Sequence, residues 1–583
     1  MEVKESIVHE TDVLVIGGGI GGCFAAIKAK EAGANEVIQL DKGHVGKSGC
    51  SAFAAGVYTA FYPEEDDYDE VFNDMLVEPA PFILNQERLR SHLETVWNTV
   101  MDLESYGAEF ERTKDGKMER YLGRGPVKNV MFHGPQMMGA LAKEARKKGV
   151  EQFNKTMMTD LLTKDGQVVG AVAFNIMTGD WHVFKARGTV LATGGNFYKG
   201  LVPGHRNVTG DGHVAAYRAG TDLTSLDFIV RNAFPARYDI GPGMHMYVGS
   251  GGRFVNAKGE RFMEKYDPEL KDRVLLGPLS AAFAMEVRQG NAPIYLDMTH
   301  FTPEVVRRLK RVIPLPMMMY ERAGLVKDDR FVDKIEWMNY APVQRGGAMT
   351  NSRFETCLPG LYACGDATPW AGAEGGAAAL PGAANSGSKA GTSAAEFARE
   401  IGKAQADEEQ VQYFREQAFQ LMERRNGIEP DHLLLAVQEA IMPYDVLTLR
   451  EEGRMKKALA EIEDIRDNLA PILCAYDPHY LRMALEARNL VTFAEMQLRS
   501  SIFRKESRGG TCLREDYPYR DNENWLKWVS VKEESSEMKV FTQDIPIDRY
   551  PIKPPRDRVL DSLWQRATEL GIATINEERV VWE

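Results

Sequence analysis

Gly17-Gly18-Gly19-Ile20-Gly21-Gly22 satisfies G-x-G-x-x-G between a β-branched apolar run ending at Ile16 and a helix-compatible stretch, Gly22 to Ala32. In that setting Gly17 permits the tight turn and Gly19 lets backbone approach a pyrophosphate. Gly22 lets the helix pack against the strand, and the amino terminus of that helix favours the anion. Asp41 comes nineteen positions after Gly22, at the end of a second strand from Glu36 to Leu40. A carboxylate there can accept from ribose hydroxyls, so the chemistry is dinucleotide binding.

The segments beyond Asp41 select FAD over a nicotinamide cofactor. Lys42-Gly43, Lys47-Ser48-Gly49-Cys50-Ser51-Ala52 and Ala54-Ala55-Gly56 place small side chains where a flavin ring and ribityl chain need close backbone approach. Thr193-Gly194-Gly195 and Gly365-Asp366 each end a short apolar run, giving two further returns to one cofactor, and Asp366 can accept from sugar-like hydroxyls. The candidate cofactor residues are therefore Gly17, Gly19, Ile20, Gly22, Asp41, Lys42, Ser48, Gly49, Ser51, Ala55, Gly56, Thr193, Gly194, Gly195, Asp211, Gly365 and Asp366.

These groups need a βαβ unit with strands buried on both faces. VVGAVAF, a turn at Thr178-Gly179-Asp180, WHVFKA and GTVLATGG read as a β-meander covering one face of that unit. Residues 226–345 lack the strand–helix alternation and are rich in Gly, Pro, Arg and aromatics, as an inserted cap would be. Gly360 to Asp366 returns the chain to the first domain. Beyond Ala395, charged stretches with helical periodicity take over, and Ala484, Ala487, Val491, Ala494 and Leu498 fall on one helix face. The expected architecture is α/β: a Rossmann-like FAD-binding domain (1–225 and 346–395) with an inserted α+β capping domain (226–345). After it come a helical domain (396–530) and an extended C-terminal arm (531–583) suited to wrapping a neighbour in a higher oligomer.

The 583 residues carry 71 basic and 84 acidic side chains and no basic, aromatic-interleaved patch, which excludes a nucleic-acid footprint. No run approaches eighteen apolar residues and the amino terminus has no secretory pattern, so a cytoplasmic protein without a membrane span is expected. Cys23, Cys50, Cys357, Cys364, Cys474 and Cys512 include no C-x-x-C pair, which argues against a zinc site or an iron–sulfur cluster in this chain.

DVLVIGGGIGG, LDKGHVGKSG, VLATGG, PGLYACGDA, GAANSGSKAG and ESRGGTCLREDYPYRDNENW resemble, in order and spacing, the flavoprotein subunits of the succinate dehydrogenase and fumarate reductase family over nearly the whole chain. Within it, GAVAFNIMTGDWHVFKARGTVLATGG, FPARYDIGPG and APIYLD look most like the adenylylsulfate reductase alpha subunit. The resemblance implies FAD, a cap, a helical domain and electron exchange with an iron–sulfur, ferredoxin-like partner. It adds Asn385 and Ser386 to the cofactor residues and Arg508, in ESR, to the substrate residues.

The departures carry as much meaning. Where family members that bind FAD covalently have a histidine, this chain has Gly49, so FAD is expected to be noncovalent, with His44 a solvated loop residue. The position of the family's proton-donating arginine reads Pro381, and that of its histidine reads Pro342, with Arg345 just before Gly346-Gly347. LLGPLSAAFAME, between Val274 and Val287, lacks the arginine that adenylylsulfate reductases use, and Tyr58 stands near where they carry a small amide; Arg237 matches their FPAR-type arginine. Fumarate, succinate and adenylylsulfate are thus all disfavoured.

Candidate substrate groups are Arg237, His245, Arg345, Trp370, Glu374 and Arg508, with Arg237, His245, Arg345 and Arg508 assigned catalytic roles. Guanidinium forks suit carboxylate, sulfate or phosphate, and a histidine can donate a proton near neutral pH. Plain alternatives are surface ion pairs for the arginines, loop packing for His245 and space filling for Trp370. Met131, Met137, Met138 and Met317-Met318-Met319 could line an apolar substrate pocket, with gap-filling core the plainer reading. The expected function is hydride exchange between flavin and a small, anionic substrate. A self-sufficient oxidase in the manner of L-aspartate oxidase, or an electron relay without its own substrate, stays open.

Overall fold

Val13, Leu14, Val15 and Ile16 are apolar without a break because strand β1 (Ile7–Ile16) is covered on both faces. The computed structural model describes residues 5–54, 56–77, 80–125, 127–200, 204–238, 243–372, 379–424 and 426–583. β1 pairs in parallel with β2 (Val37–Asp41) on one side and with strand Trp181–Leu191 on the other, and helix α1 (Ile20–Glu31) crosses between β1 and β2. Both strands therefore release their carboxyl ends at the same edge, where loops can meet a ligand.

The meander is longer than expected and sits differently. It begins one strand earlier, at Thr156–Lys164, and runs antiparallel through Gln167–Asn175 to Trp181–Leu191. Instead of covering a face, it extends the same sheet, whose order is 151–154, β2, β1, 181–191, 167–175, 156–164. Strand Leu361–Ala363 adds in parallel beside Thr189–Leu191, bringing the chain back to the first domain.

The return continues as helix Ala379–Glu400, which lies against α1. A Cβ added at Gly387 would sit 2.2 Å from the Gly21 carbonyl oxygen, and one at Gly391 would sit 2.1 Å from that of Ala25. The small-residue tract is thus a close crossing of two helices, with backbone touching backbone.

The segment expected to be irregular contains a four-stranded antiparallel sheet in the order Ile229–Pro235, Ile335–Gln344, Ile294–Asp297, Arg253–Val255. Helices Leu276–Arg288, Pro303–Val312 and Pro314–Arg322 share its apolar core. Met317 is buried in that core, as is Met131, while Met137 and Met138 are fully buried in the core of the cofactor domain.

Helices Glu408–Glu423, Pro430–Ile441, Glu452–Asp464 and Pro478–Phe503 form the helical region, and all five residues of the expected apolar face are buried in the last of them. The carboxyl-terminal arm does not extend away. Strands Lys527–Glu534 and Glu537–Asp544 form a hairpin stitched onto Leu223–Thr224, so the expected boundary at 530 falls inside a strand. Helix Ser562–Glu569 then sinks Trp564 into the core of the cap. Apolar side chains in this tail give it something to bury, which a wrapping arm would have left to a partner.

Candidate active site

The cleft starts where β1 stops. Gly17 has a φ of 124°, and a Cβ there would sit 2.1 Å from the Ala192 carbonyl oxygen, so the turn is wedged against the end of VLATGG. The carboxylate of Asp41 accepts from the backbone N–H groups of Gly18 (2.7 Å) and Gly43 (2.6 Å), which fixes the loops on either side. Burial pushes the Asp41 carboxyl above its usual range, against these two bonds, which favour the anion. At the start of α1 the Ile20 N–H donates to Ser51 Oγ.

Between these loops lies a cleft of about 940 Å³, counting its open mouth. Gly17, Gly19, Ile20, Asp41, Lys42, Ser48, Gly49, Ser51, Thr193, Gly194, Asp211, Gly365 and Asp366 line it, bringing together segments far apart in sequence. Its glycine-rich wall, drawn from several separate loops, suits a dinucleotide, and the buried Thr193 Oγ1 lacks a partner among the described residues, as expected of a group waiting for a ligand. The residues present therefore fit FAD. Gly18, Gly43, Cys50, Met157, Met158 and Cys364 line the cleft too. Sequence reasoning missed Met157 and Met158 because the strand carrying them has no motif. None of the six cysteines is bonded to another.

Five expected cofactor residues stand behind the cleft rather than in it. A Cβ on Gly22 would lie 2.0 Å from the Gly17 oxygen, which makes it the helix–strand contact of the motif. Gly56 faces Val312 and Phe132, and Gly195 faces Gln344 and Asp366. Asn385 bonds Thr95 and His92. Ser386 accepts from the Gly365 N–H and donates to Gly382, bracing the cleft wall. Ala55 lies outside the described residues.

Lys42 and Asp211 reach the cleft but are engaged elsewhere. The Lys42 ammonium donates to Thr209 Oγ1, Asp211 Oδ2 and Glu486 Oε1, at 2.7, 2.7 and 2.8 Å, which uses its three protons. Glu486, on helix Pro478–Phe503, is also paired with Lys199 and Arg482 and is fully buried. Although burial alone would raise it, the three cations hold the Glu486 carboxyl well below its usual range. Lys42 is thus a strut between the cofactor domain and the helical region, not a free donor to phosphate.

The substrate candidates separate. Arg345 lies just past the last strand of the cap and its backbone bonds Phe228 and Trp370. Its charge is within reach of Asp366, which lines the cleft, and burial lowers the Arg345 pKa. Arg237 is 77% exposed and pairs with Glu336, so it is a surface ion pair. Arg508 is fully buried, but its fork grips both oxygens of Glu506 and also donates to Pro81 O and Asn522 Oδ1. That guanidinium ties chain segments together and does not reach the cleft.

His245 is a correction of another kind. Burial, with the charges of Arg124 and Arg273, drives its pKa well below the usual value. It therefore stays neutral and accepts from the Arg124 N–H at 3.1 Å, so it cannot be the proton donor expected of it near neutral pH. Trp370 packs on Phe228, with ring centroids 5.4 Å apart, and Glu374 lies outside the described residues. Tyr58 is buried and bonded to Thr99. His44 is exposed.

Comparison with known proteins agrees with this geometry. Residues 12–385 match the family described as FAD binding domain, and residues 437–560 match fumarate reductase flavoprotein C-term. A subunit of the fumarate reductase (CoM/CoB) of Methanothermobacter marburgensis is 31% identical over 554 residues, covering 88% of this chain and 96% of that protein. A succinate dehydrogenase flavoprotein subunit of Rickettsia conorii is 27% identical, covering 95% and 99%. Among solved structures, E. coli quinol fumarate reductase FrdA superposes with a TM-score of 0.83 at 22% identity, over 94% of this chain and 99% of that one. Adenylylsulfate reductase of Archaeoglobus fulgidus superposes with 0.74 at 22%, over 93% and 98%. Likeness at that identity speaks for the fold. Among the described residues no helix is long and apolar enough to cross a membrane. The chain belongs to the fumarate reductase and succinate dehydrogenase flavoprotein family and is an FAD-dependent oxidoreductase.

Proposed function

We propose that this chain is the flavoprotein subunit of a larger oxidoreductase and exchanges hydride between noncovalently held FAD and a small anionic substrate seated between the cofactor cleft and the cap. The observation that carries the reading is Arg345, a half-buried cation at the end of the cap's last strand, with the cleft-lining Asp366 within reach of its charge. FAD, when bound, supplies the two-electron chemistry. The protein's part is to orient the anion with a guanidinium and to exclude water under the cap. Pro381 and Pro342 have no side-chain proton to give, which directs the reading away from fumarate and succinate. A relative named as a subunit of a reductase supports an electron partner, and the scattered cysteines of this chain are consistent with that partner carrying the iron–sulfur clusters. The test is anaerobic: reduce the flavin of the purified holoprotein and mix with small carboxylates and sulfur oxyanions. Rapid reoxidation by one of them, and co-purification with an iron–sulfur protein, are expected. Peroxide formation in air at catalytic rates would overturn the reading in favour of a self-sufficient oxidase.

A further inference from the structure

The loop Gly123-Arg124-Gly125 is held from both sides. Arg273 Nε donates to the Gly123 carbonyl at 2.8 Å, and the Gly125 N–H donates to the Arg273 carbonyl at 2.8 Å. On the other side the His245 ring accepts from the Arg124 N–H and leaves Gly123 no room, since a Cβ there would lie 1.9 Å from the imidazole. So much fixing of two glycines makes sense if the residue between them must point one way.

That residue is an arginine with unmet demand. Arg124 Nε and one terminal nitrogen are buried with no acceptor among the described residues. A buried donor without a partner costs on the order of 1–3 kcal/mol, and more when charged. The positive charge of Arg345 makes matters worse: burial, and after it Arg345, lower the Arg124 pKa to about 10, which leaves the guanidinium charged at neutral pH. Arg345 in turn lies within reach of Asp366 in the wall of the cofactor cleft. Two like charges are therefore brought together where the cap meets the cleft, and Arg124 holds N–H groups that meet no acceptor among the described residues. A folded chain tolerates such an arrangement when a ligand's negative oxygens complete it.

We propose that Arg124 and Arg345 form a two-guanidinium clamp for the oxyanionic group of the substrate, with Arg273 and His245 holding the loop that carries Arg124. This deepens the proposed function of the site and rests on it. The clamp selects a carboxylate or sulfur oxyanion and rejects a neutral analogue, because a neutral group would leave the buried N–H groups of Arg124 without a charged acceptor.

The test uses the FAD-loaded protein, titrated separately with malonate and with sulfate while the flavin absorption bands are followed. Wild type is expected to give a saturable change with at least one of them, and which one tells carboxylate from sulfur oxyanion. Arg124→Gln and Arg345→Gln are each expected to raise Kd about tenfold or more at unchanged FAD content. Arg124→Lys keeps the charge but loses the fork, is the gentler change for folding, and is expected to raise Kd several-fold. An unchanged Kd in Arg124→Gln or Arg124→Lys, or no saturable change in wild type with either anion, overturns the clamp. The two proposals fail separately. If no substrate reoxidises the flavin while anion binding still depends on Arg124, the redox proposal falls and the clamp stands. If turnover proceeds equally well in Arg124→Gln, only the clamp falls.

Discussion

Single residues divide into those that make the cleft and those that hold its frame. Gly49 lines the cleft with a φ of 73°, a left-handed conformation that favours glycine, and it stands where covalent family members carry a histidine. Acid precipitation of the holoprotein should accordingly release all the yellow chromophore into the supernatant; colour retained in the pellet would refute noncovalent binding. Glu486 belongs to the frame. Replacing it by Gln leaves Lys42, Lys199 and Arg482 facing one another and should cost about 3–5 kcal/mol, read from urea unfolding. Because the folded carboxyl is held below its unfolded value, its stabilisation is full above the usual glutamate range and fades as pH falls. Stability measured between about pH 3 and 7 should therefore fall on acidification less steeply in Glu486→Gln than in wild type.

Among the elements, the crossing of α1 with helix Ala379–Glu400 sets the spacing of the cofactor domain. Gly391→Ala would push a methyl into the Ala25 carbonyl and should cost about 3 kcal/mol, with weaker FAD retention as the helix is levered off the cleft wall. The segment after helix Pro478–Phe503 is the other joint. There Arg504 pairs with Asp227 and Glu506, Arg508 with Glu506, and Arg514 with Asp516, every one of these arginines fully buried. Arg508→Met should destabilise the protein by about 3 kcal/mol yet leave the anion Kd of the folded holoprotein unchanged, which a substrate-binding arginine would not do. Its ESR motif marks the residue, but not whether its fork meets a substrate or a neighbouring glutamate.

On the scale of the whole molecule, the chain closes on itself. The C-terminal hairpin joins a strand that precedes the cap, and Trp564 fills the cap's core while its indole N–H donates to Ser507 Oγ. Trp564→Ala should cost about 3–5 kcal/mol and make the cap the first region cut in limited proteolysis, even though the substitution lies far along the chain from the cap. Uniform cleavage across the molecule would argue that the cap does not depend on this plug.

The βαβ unit, the FAD motif and the long apolar helix face are legible in the order of residues, because they depend on local spacing: glycines at fixed offsets, a carboxylate after the second strand, and apolar residues every three or four positions. That order also locates the segments that return to the cleft. What each charged side chain meets is set by packing. Lys42 and Arg508 sit in recognisable motifs, but Lys42 is engaged by Glu486 from a distant helix and the Arg508 fork closes on Glu506 of its own motif, and only packing shows that both are occupied. His245 is neutral because burial and two arginines surround it, which no spacing reveals. Arg124 carries no motif at all. Arg273 and His245 fix its loop and two of its nitrogens are buried without an acceptor among the described residues, and burial and missing partners are properties of the packed chain and not of its order.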